Sequence, residues 1–335
     1  MESTTLFPSG RGMNVPAAFA SAGPDGGVSP SVLAVCDLSS AAIDATWRAA
    51  MVARDLGVPL RVLHPRLAGA LACRHRSFVD ELRVEIPLRM ALQASFEAVE
   101  DSALDAAVAA ARDAAVVVLP SQRSNLLREW IMGTQAERLI RLCRAPVLVV
   151  KRPALSPYRH LLAAAALEAG DAQLLDLAAA LAPRGRVELL HVLGTAEEIV
   201  LRELDASSAT LHARREYRAQ RAHLALHKLL EPAAARLTAF TRVNFGSTAP
   251  VVLARAQAAH SDLLVIGKRR RGLMADYLLG GVTQRVLAGA QCDVLVLPIR
   301  HAAGDARPRP GRRRPAASQD GRLRESAGAA LLHRS

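Results

Sequence analysis

The stretch GTQAERLIRLCRAPVLVV, Gly133–Val150, recurs as GGVTQRVLAGAQCDVLVL, Gly280–Leu297. Each begins on a small or glycine residue, continues as an amphipathic run and closes on a block of valine and leucine. That order reads as a helix followed by a buried strand. The shared offset of 147 residues runs back without a gap to Phe96, which falls on Val243, and lays AAVVVLP (Ala114–Pro120) over SDLLVIG (Ser261–Gly267). Farther upstream LRVLHP (Leu60–Pro65) matches VELLHV (Val187–Val192), and SVLAVCD (Ser31–Asp37) matches HLLAAAA (His160–Ala166). The offsets shrink there because the second copy has a longer middle segment. A period this long marks a duplicated domain and not a solenoid unit.

Within each copy, short apolar runs alternate with helical stretches. The first is expected to place strands at Val32–Cys36, Leu60–His64, Phe96–Glu100, Val116–Leu119 and Val147–Val150. Helices are expected between them at Ala41–Leu56, Arg74–Ala94, Ala103–Arg112 and Thr134–Leu142. The second copy repeats the strands at Leu161–Ala165, Arg186–Val192, Arg242–Phe245, Leu263–Ile266 and Val294–Leu297. Runs such as VVVL and LLVI suit strands buried on both faces, and βαβα alternation makes the sheet parallel. Right-handed crossovers then leave chiefly a doubly wound sheet. The expected fold is α/β, two tandem Rossmann-like domains, each a five-stranded parallel sheet with helices on both faces. The expected organisation is a head at 1–29, domains at 30–152 and 158–300 joined by a linker at 153–157, and a tail at 301–335.

Composition narrows the function. The chain has 335 residues, 51% hydrophobic and 22% charged, an ordinary globular balance. Aromatics are only 3%, too few to build a stacking platform for single-stranded nucleic acid. Cys36, Cys73, Cys143 and Cys292 lie far apart, which supports neither a disulfide scaffold nor a zinc ribbon. No run reaches the length of a membrane span, and the first residues lack the pattern of a signal peptide. A cytoplasmic protein without membrane attachment is expected. From Arg300 onward nine arginines face three acids, half of the formal charge of +12. Broken by Pro308, Pro310 and Pro315, this tail is expected to be unstructured and to make weak, non-specific contacts with nucleic acid or other anions.

Ligands of such sheets bind beyond the carboxyl ends of the strands, where strand order reverses. The residues there are the strand-end Asp37 of VCDLSS, the LLHV run, the loop after the fourth strand, and the late Gly-Thr or Gly-Gly before an amphipathic helix. In these features both halves, 31–152 and 158–300, resemble the universal stress protein family, and the duplication resembles its tandem, E-type members. The resemblance implies an adenine nucleotide alpha hydrolase-like fold and, in nucleotide-binding members, a loop of the form G-x2-G-x9-G-[S/T] with an aspartate at the first strand end. Glycines let backbone approach phosphate, and the later Gly-Ser/Thr offers N–H groups and a hydroxyl at a helix N-terminus.

Neither copy satisfies that pattern. The first keeps Asp37, Gly133 and Thr134, with Pro120 and Arg123 in the earlier glycine positions; proline removes an N–H and fixes φ. The second keeps Gly267 and Gly280, with Arg270 and Gly281 in place of the second glycine and the hydroxyl, and Ala166 where the carboxylate belongs. The run Lys268–Arg271 either substitutes by charge or is a solvated basic turn.

Other candidates are weaker. His223 and His227 have the i, i+4 spacing of a metal pair without a third ligand. His64 and His191 end equivalent strands and read as packing beside the cleft. Cys36 reads as a small core residue. No catalytic residue and no metal ligand is assigned. The last strands, Val147–Val150 and Val294–Leu297, are expected to pair with each other, making the chain a pseudo-dimer, with a homodimer as a further option. Two functions stay open: a non-enzymatic stress-response binding or signalling module with degenerate nucleotide sites, or an ATP/AMP-binding protein, at most a very slow ATPase, that uses one cleft. No cofactor is certain, and ATP is the one implied.

Overall fold

A computed structural model describes residues 30–66, 70–99, 103–121, 139–140, 142–143, 145–168, 170–269 and 280–299. The expected head and tail, Arg123, Gly133, Thr134, Arg270 and most of the helix expected at Thr134–Leu142 lie outside them. The first copy runs β1 (Ser31–Val35), α1 (Ser40–Leu56), β2 (Leu60–Pro65), α2 (Ala70–Met90), β3 (Ala94–Val99), α3 (Ala103–Ala110), β4 (Ala114–Pro120) and β5 (Val147–Val150). The second runs β6 (His160–Ala165), α4 (Asp171–Leu181), β7 (Arg186–Leu193), α5 (Ala196–Glu203), α6 (Ser208–Leu230), β8 (Thr238–Phe245), α7 (Thr248–Ala258), β9 (Leu263–Arg269), α8 (Gly281–Gly289) and β10 (Asp293–Ile299).

The strands form one ten-stranded sheet in the order β3-β2-β1-β4-β5-β10-β9-β6-β7-β8. All neighbours are parallel except at its centre, where β5 and β10 run antiparallel with Leu148 opposite Leu295. Each copy thus has the order 3-2-1-4-5. The last strands, which would be bare edges in isolated copies, cover one another, and the sheet's actual edges are β3 and β8. The runs Val116–Leu119 and Leu263–Ile266 are buried, as strands covered on both faces must be. Two apolar clusters lie on the two faces, and each draws residues from both copies: one joins Val32 and Leu60 to Leu161 and Leu174, the other Leu33 and Val117 to Leu162 and Leu264.

The offset of 147 holds where β4 matches β9, since Val32 pairs with Val116 and Leu161 with Leu263. It does not hold at the third strand of each copy. His64 pairs with Ala98 and His191 with Val243, a slip of two residues against the sequence match. The extra length of the second copy is α5, which stands between β7 and α6 and has no counterpart before α2.

The central seam is tied by polar groups. Asp293 is fully buried; its Oδ1 accepts from the Lys151 and Arg152 amides at 2.7 and 3.1 Å, and its Oδ2 accepts from the Tyr158 hydroxyl at 2.6 Å. Arg48 of α1 lies 3.3 Å from Asp293 Oδ2, stacks 4.2 Å from the Tyr158 ring centre, and donates to the Ser156 carbonyl at 2.7 Å. One carboxylate therefore joins the first helix of copy one, the inter-copy segment and the last strand of copy two. Two lysines add reciprocal helix caps. Lys151 Nζ donates to the carbonyls of Leu287 and Ala290 at the end of α8 (2.6 and 2.8 Å), and Lys268 Nζ donates to Ile140 in the helical turn of copy one (3.2 Å). Cations favour helix C-termini, where carbonyls lack intrahelical partners.

Candidate functional site

The strand order reverses between β1 and β4 in copy one and between β6 and β9 in copy two, so these mark the two candidate clefts. Both open with the same backbone device. Leu38 (φ 67°) and Leu167 (φ 61°), at equivalent places just past β1 and β6, adopt the left-handed region, which costs a non-glycine residue about 1 kcal/mol or more. A carboxylate braces each turn. In copy one Asp37 is exposed, and its Oδ1 accepts from Ser39 N at 3.1 Å and Ser39 Oγ at 2.6 Å, while Ser39 Oγ caps α1 through Ala42 N. In copy two Asp171 Oδ2 accepts from the Glu168 amide, the equivalent group, at 3.0 Å.

The carboxylate missing at Ala166 is therefore supplied from five residues farther on, with one difference of consequence. Asp37 faces solvent, whereas Asp171 is only 1% exposed. Burial pushes the Asp171 carboxyl up from its usual 3.8, and backbone amides of the turn pull it back only in part. Copy one thus exposes its strand-end carboxylate and copy two buries its own.

The glycine side of the second cleft is also different from its sequence reading. A Cβ placed on Gly267 would fall within the Ile299 side chain, and so would one placed on Gly170, the residue before α4. Ile299 is 1% exposed. It closes β10, whose seven residues outrun the four of β5, and the extra length carries its side chain between the end of β9 and the start of α4. Gly267 has no room for a side chain because Ile299 packs on it, within a strand that runs on through Arg269. Gly280 precedes α8 at φ −56°, and a Cβ there would meet open space; Gly281 is the first residue of that helix. Lys268 does not belong to a solvated turn either. It is 5% exposed within β9 and committed to the Ile140 carbonyl.

In copy one Pro120 ends β4, buried opposite Val150. Its described surroundings open instead on the other side of β1, where a cavity of about 310 Å³ lies between the ends of β1, β2 and β3 and helix α2. Of the remaining candidates, His191 Nδ1 lies 2.9 Å from the Ala165 carbonyl, which ties β7 to β6, and His64 is half-buried beside the cavity. His223 and His227 are exposed on α6. Cys36 is buried 2% exposed in the core.

Sequence reasoning missed Asp171, Ile299 and the Asp293 hub. Only Asp171 had a local signal, an acid in the first turn after a glycine. Neither Ile299 nor Asp293 can be read without knowing which distant segments they meet.

The family model described as "Universal stress protein family" matches the chain twice, at residues 30–151 and 157–298. No curated protein matches it. Among solved structures, a universal stress protein from Archaeoglobus fulgidus DSM 4304 is 14% identical with a TM-score of 0.57, over 80% of this chain and 96% of that one. A functionally unknown protein from Pseudomonas aeruginosa PAO1 is 18% identical with a TM-score of 0.55, over 84% of this chain and 94% of that one. At these identities the likeness is one of fold.

Proposed function

The chain belongs to the universal stress protein family, as a tandem member with two copies of its domain, and from that premise we propose that it is a non-enzymatic stress-response binding or signalling module whose nucleotide sites are degenerate. The observation that carries this reading is Ile299 seated against Gly170 and Gly267. A triphosphate needs glycine backbone it can approach and free N–H groups. In the second copy the chain's own side chain stands at the glycine, and the carboxylate is buried as Asp171. In the first, Pro120 takes the corresponding place and supplies no N–H. The shared seam joins the two copies in one sheet, as an intramolecular pseudo-dimer does. Among the described residues no helix is long and apolar enough to cross a membrane; a cytoplasmic location fits this reading.

One observation favours the nucleotide-binding alternative, and only for copy one: Asp37 is exposed at the open end of β1. Thermal denaturation of the full chain with ATP, ADP and AMP separates the two. Saturating ligand raises the unfolding midpoint by several degrees when it binds the folded state alone. The proposed function predicts no such rise with any of the three. A saturable rise with ATP that is lost in Asp37→Ala would replace it with the alternative.

A further inference from the structure

The geometry assigns a second kind of site to copy one: we propose that the cavity between the ends of β1, β2 and β3 and helix α2 binds a small organic carboxylate with an apolar body. This rests on the preceding reading, in which the cleft beside it has lost its triphosphate chemistry.

Three arginines line the cavity, Arg66 after β2 and Arg76 and Arg83 on α2, together with Val79, Phe96 and Ala98. Arg76 and Arg83 are two helical turns apart and share a face. Among the described residues Asp80 is the one acid on the wall, 3.8 Å from Arg83 Nη1, with both side chains more than half exposed. Among the described lining residues arginines outnumber acids. Arg83 also lies 5.7 Å from the centre of the Phe96 ring, so an apolar body on that ring would leave its charged end beside a guanidinium. Among the described residues no wall of the cavity comes from β4, so the phosphate side of the cleft takes no part. A volume of about 310 Å³ is at the small end for ligand sites and suits roughly a dozen heavy atoms.

Copy two shows what the same corner holds when it is filled. There the connection from β7 to α6 includes α5, whereas β2 reaches α2 through residues 66–69 alone. Glu197 of α5 accepts from Arg214 Nε at 2.8 Å and lies 3.5 Å from Arg218 Nε. Arg215 stacks 4.2 Å from the centre of the Phe245 ring, and Arg218 donates to the Gly194 carbonyl at 2.9 Å. The filling is a carboxylate held by helix arginines, with a guanidinium over an aromatic ring at the strand end. Copy one has helix arginines and a ring, Phe96, four positions nearer the start of its strand than Phe245 is in register, and among the described residues it has no counterpart of α5. A free carboxylate with an apolar body would supply the charge that Glu197 supplies in copy two.

The test is calorimetric titration of the full chain with phenylbutyrate, with phenylbutanol, inorganic phosphate and AMP as comparisons. The expected result is one phenylbutyrate per chain, with phenylbutanol and phosphate weaker by about tenfold or more. Arg76→Glu with Arg83→Glu reverses exposed charges and should weaken phenylbutyrate by at least about tenfold. Ala98→Phe fills the cavity at an exposed strand residue and should abolish it; circular dichroism confirms that both variants stay folded. Absence of saturable heat, or binding indifferent to both variants, overturns the inference. Saturable AMP binding that survives Ala98→Phe overturns the degenerate-cleft reading instead, so the two failures are distinct.

Discussion

Ile299, at the end of β10, occupies the space that any side chain on Gly267 of β9 would need. The two residues lie on neighbouring strands, Gly267 paired with Leu297 and Ile299 two positions on along the same face. Their fit predicts a coupled pair of mutations. Gly267→Ala should overpack the cleft and cost about 1–3 kcal/mol. Ile299→Ala should cost about 2–4 kcal/mol through lost burial and a cavity. The double variant should be more stable than the sum of the two losses implies, because alanine at 299 leaves room for the new methyl. Urea unfolding of the four proteins measures this; strict additivity would mean that the two side chains do not contend for one space.

The Asp293 hub predicts a graded response. Asp293→Ala removes the acceptor of three hydrogen bonds and the counter-ion of Arg48, which is itself 5% exposed, and should cost about 3–5 kcal/mol. Tyr158→Phe removes one of those bonds and should cost about 1–2 kcal/mol. Denaturant midpoints give both values. Near-equal losses would show that the hydroxyl, and not the hub, carries the stability.

Asp171 predicts a pH effect of definite sign. Its folded-state carboxyl titrates above 3.8, chiefly because burial disfavours the charged form. Above the folded value the buried charge is a standing cost, and below the unfolded value that cost is gone. Asp171→Asn keeps an acceptor for the Glu168 amide without the charge. It should therefore be at least as stable as the parent at neutral pH, with any advantage shrinking as the pH falls through that window. Stability measured at neutral and mildly acidic pH tests this. An advantage that grows on acidification would reverse the assignment.

The buried thiols predict silence. Burial pushes Cys143 up to about 12 and Cys292 up to about 11, and it raises Cys36 as well. The thiolate is the reactive form, so these three should resist alkylation at neutral pH until the protein unfolds. Mass spectrometry after iodoacetamide treatment reports each site. Rapid native labelling of Cys143 would contradict its burial.

Much of the fold was legible because its decisive strands are apolar on both faces. Val116–Leu119 and Leu263–Ile266 could be nothing else, and the short final strands required partners, which they find in each other. Local pattern could not disclose the two-residue slip at Ala98 and Val243, since a strand that is only half buried aligns equally well in nearby registers. The site was less legible. Asp37 could be placed from its strand end alone. Asp171 could not be matched to it, because the chain reaches the same amide from the next helix. Lys268 looked like part of a basic turn until β9 proved to extend through Arg269 and bury it. Ile299 carries no motif; its role arises from two glycines that approach it from separate elements.

Under the proposed function both clefts have lost the grip on triphosphate, the second because Ile299 stands at Gly267. Calorimetric titration of the full chain with magnesium-ATP, beside Ile299→Gly, tests it most directly. No saturable heat is expected from the parent chain. Micromolar, saturable ATP binding by the parent, one per chain and abolished by Gly280→Trp, would show that the second cleft is open and contradict it.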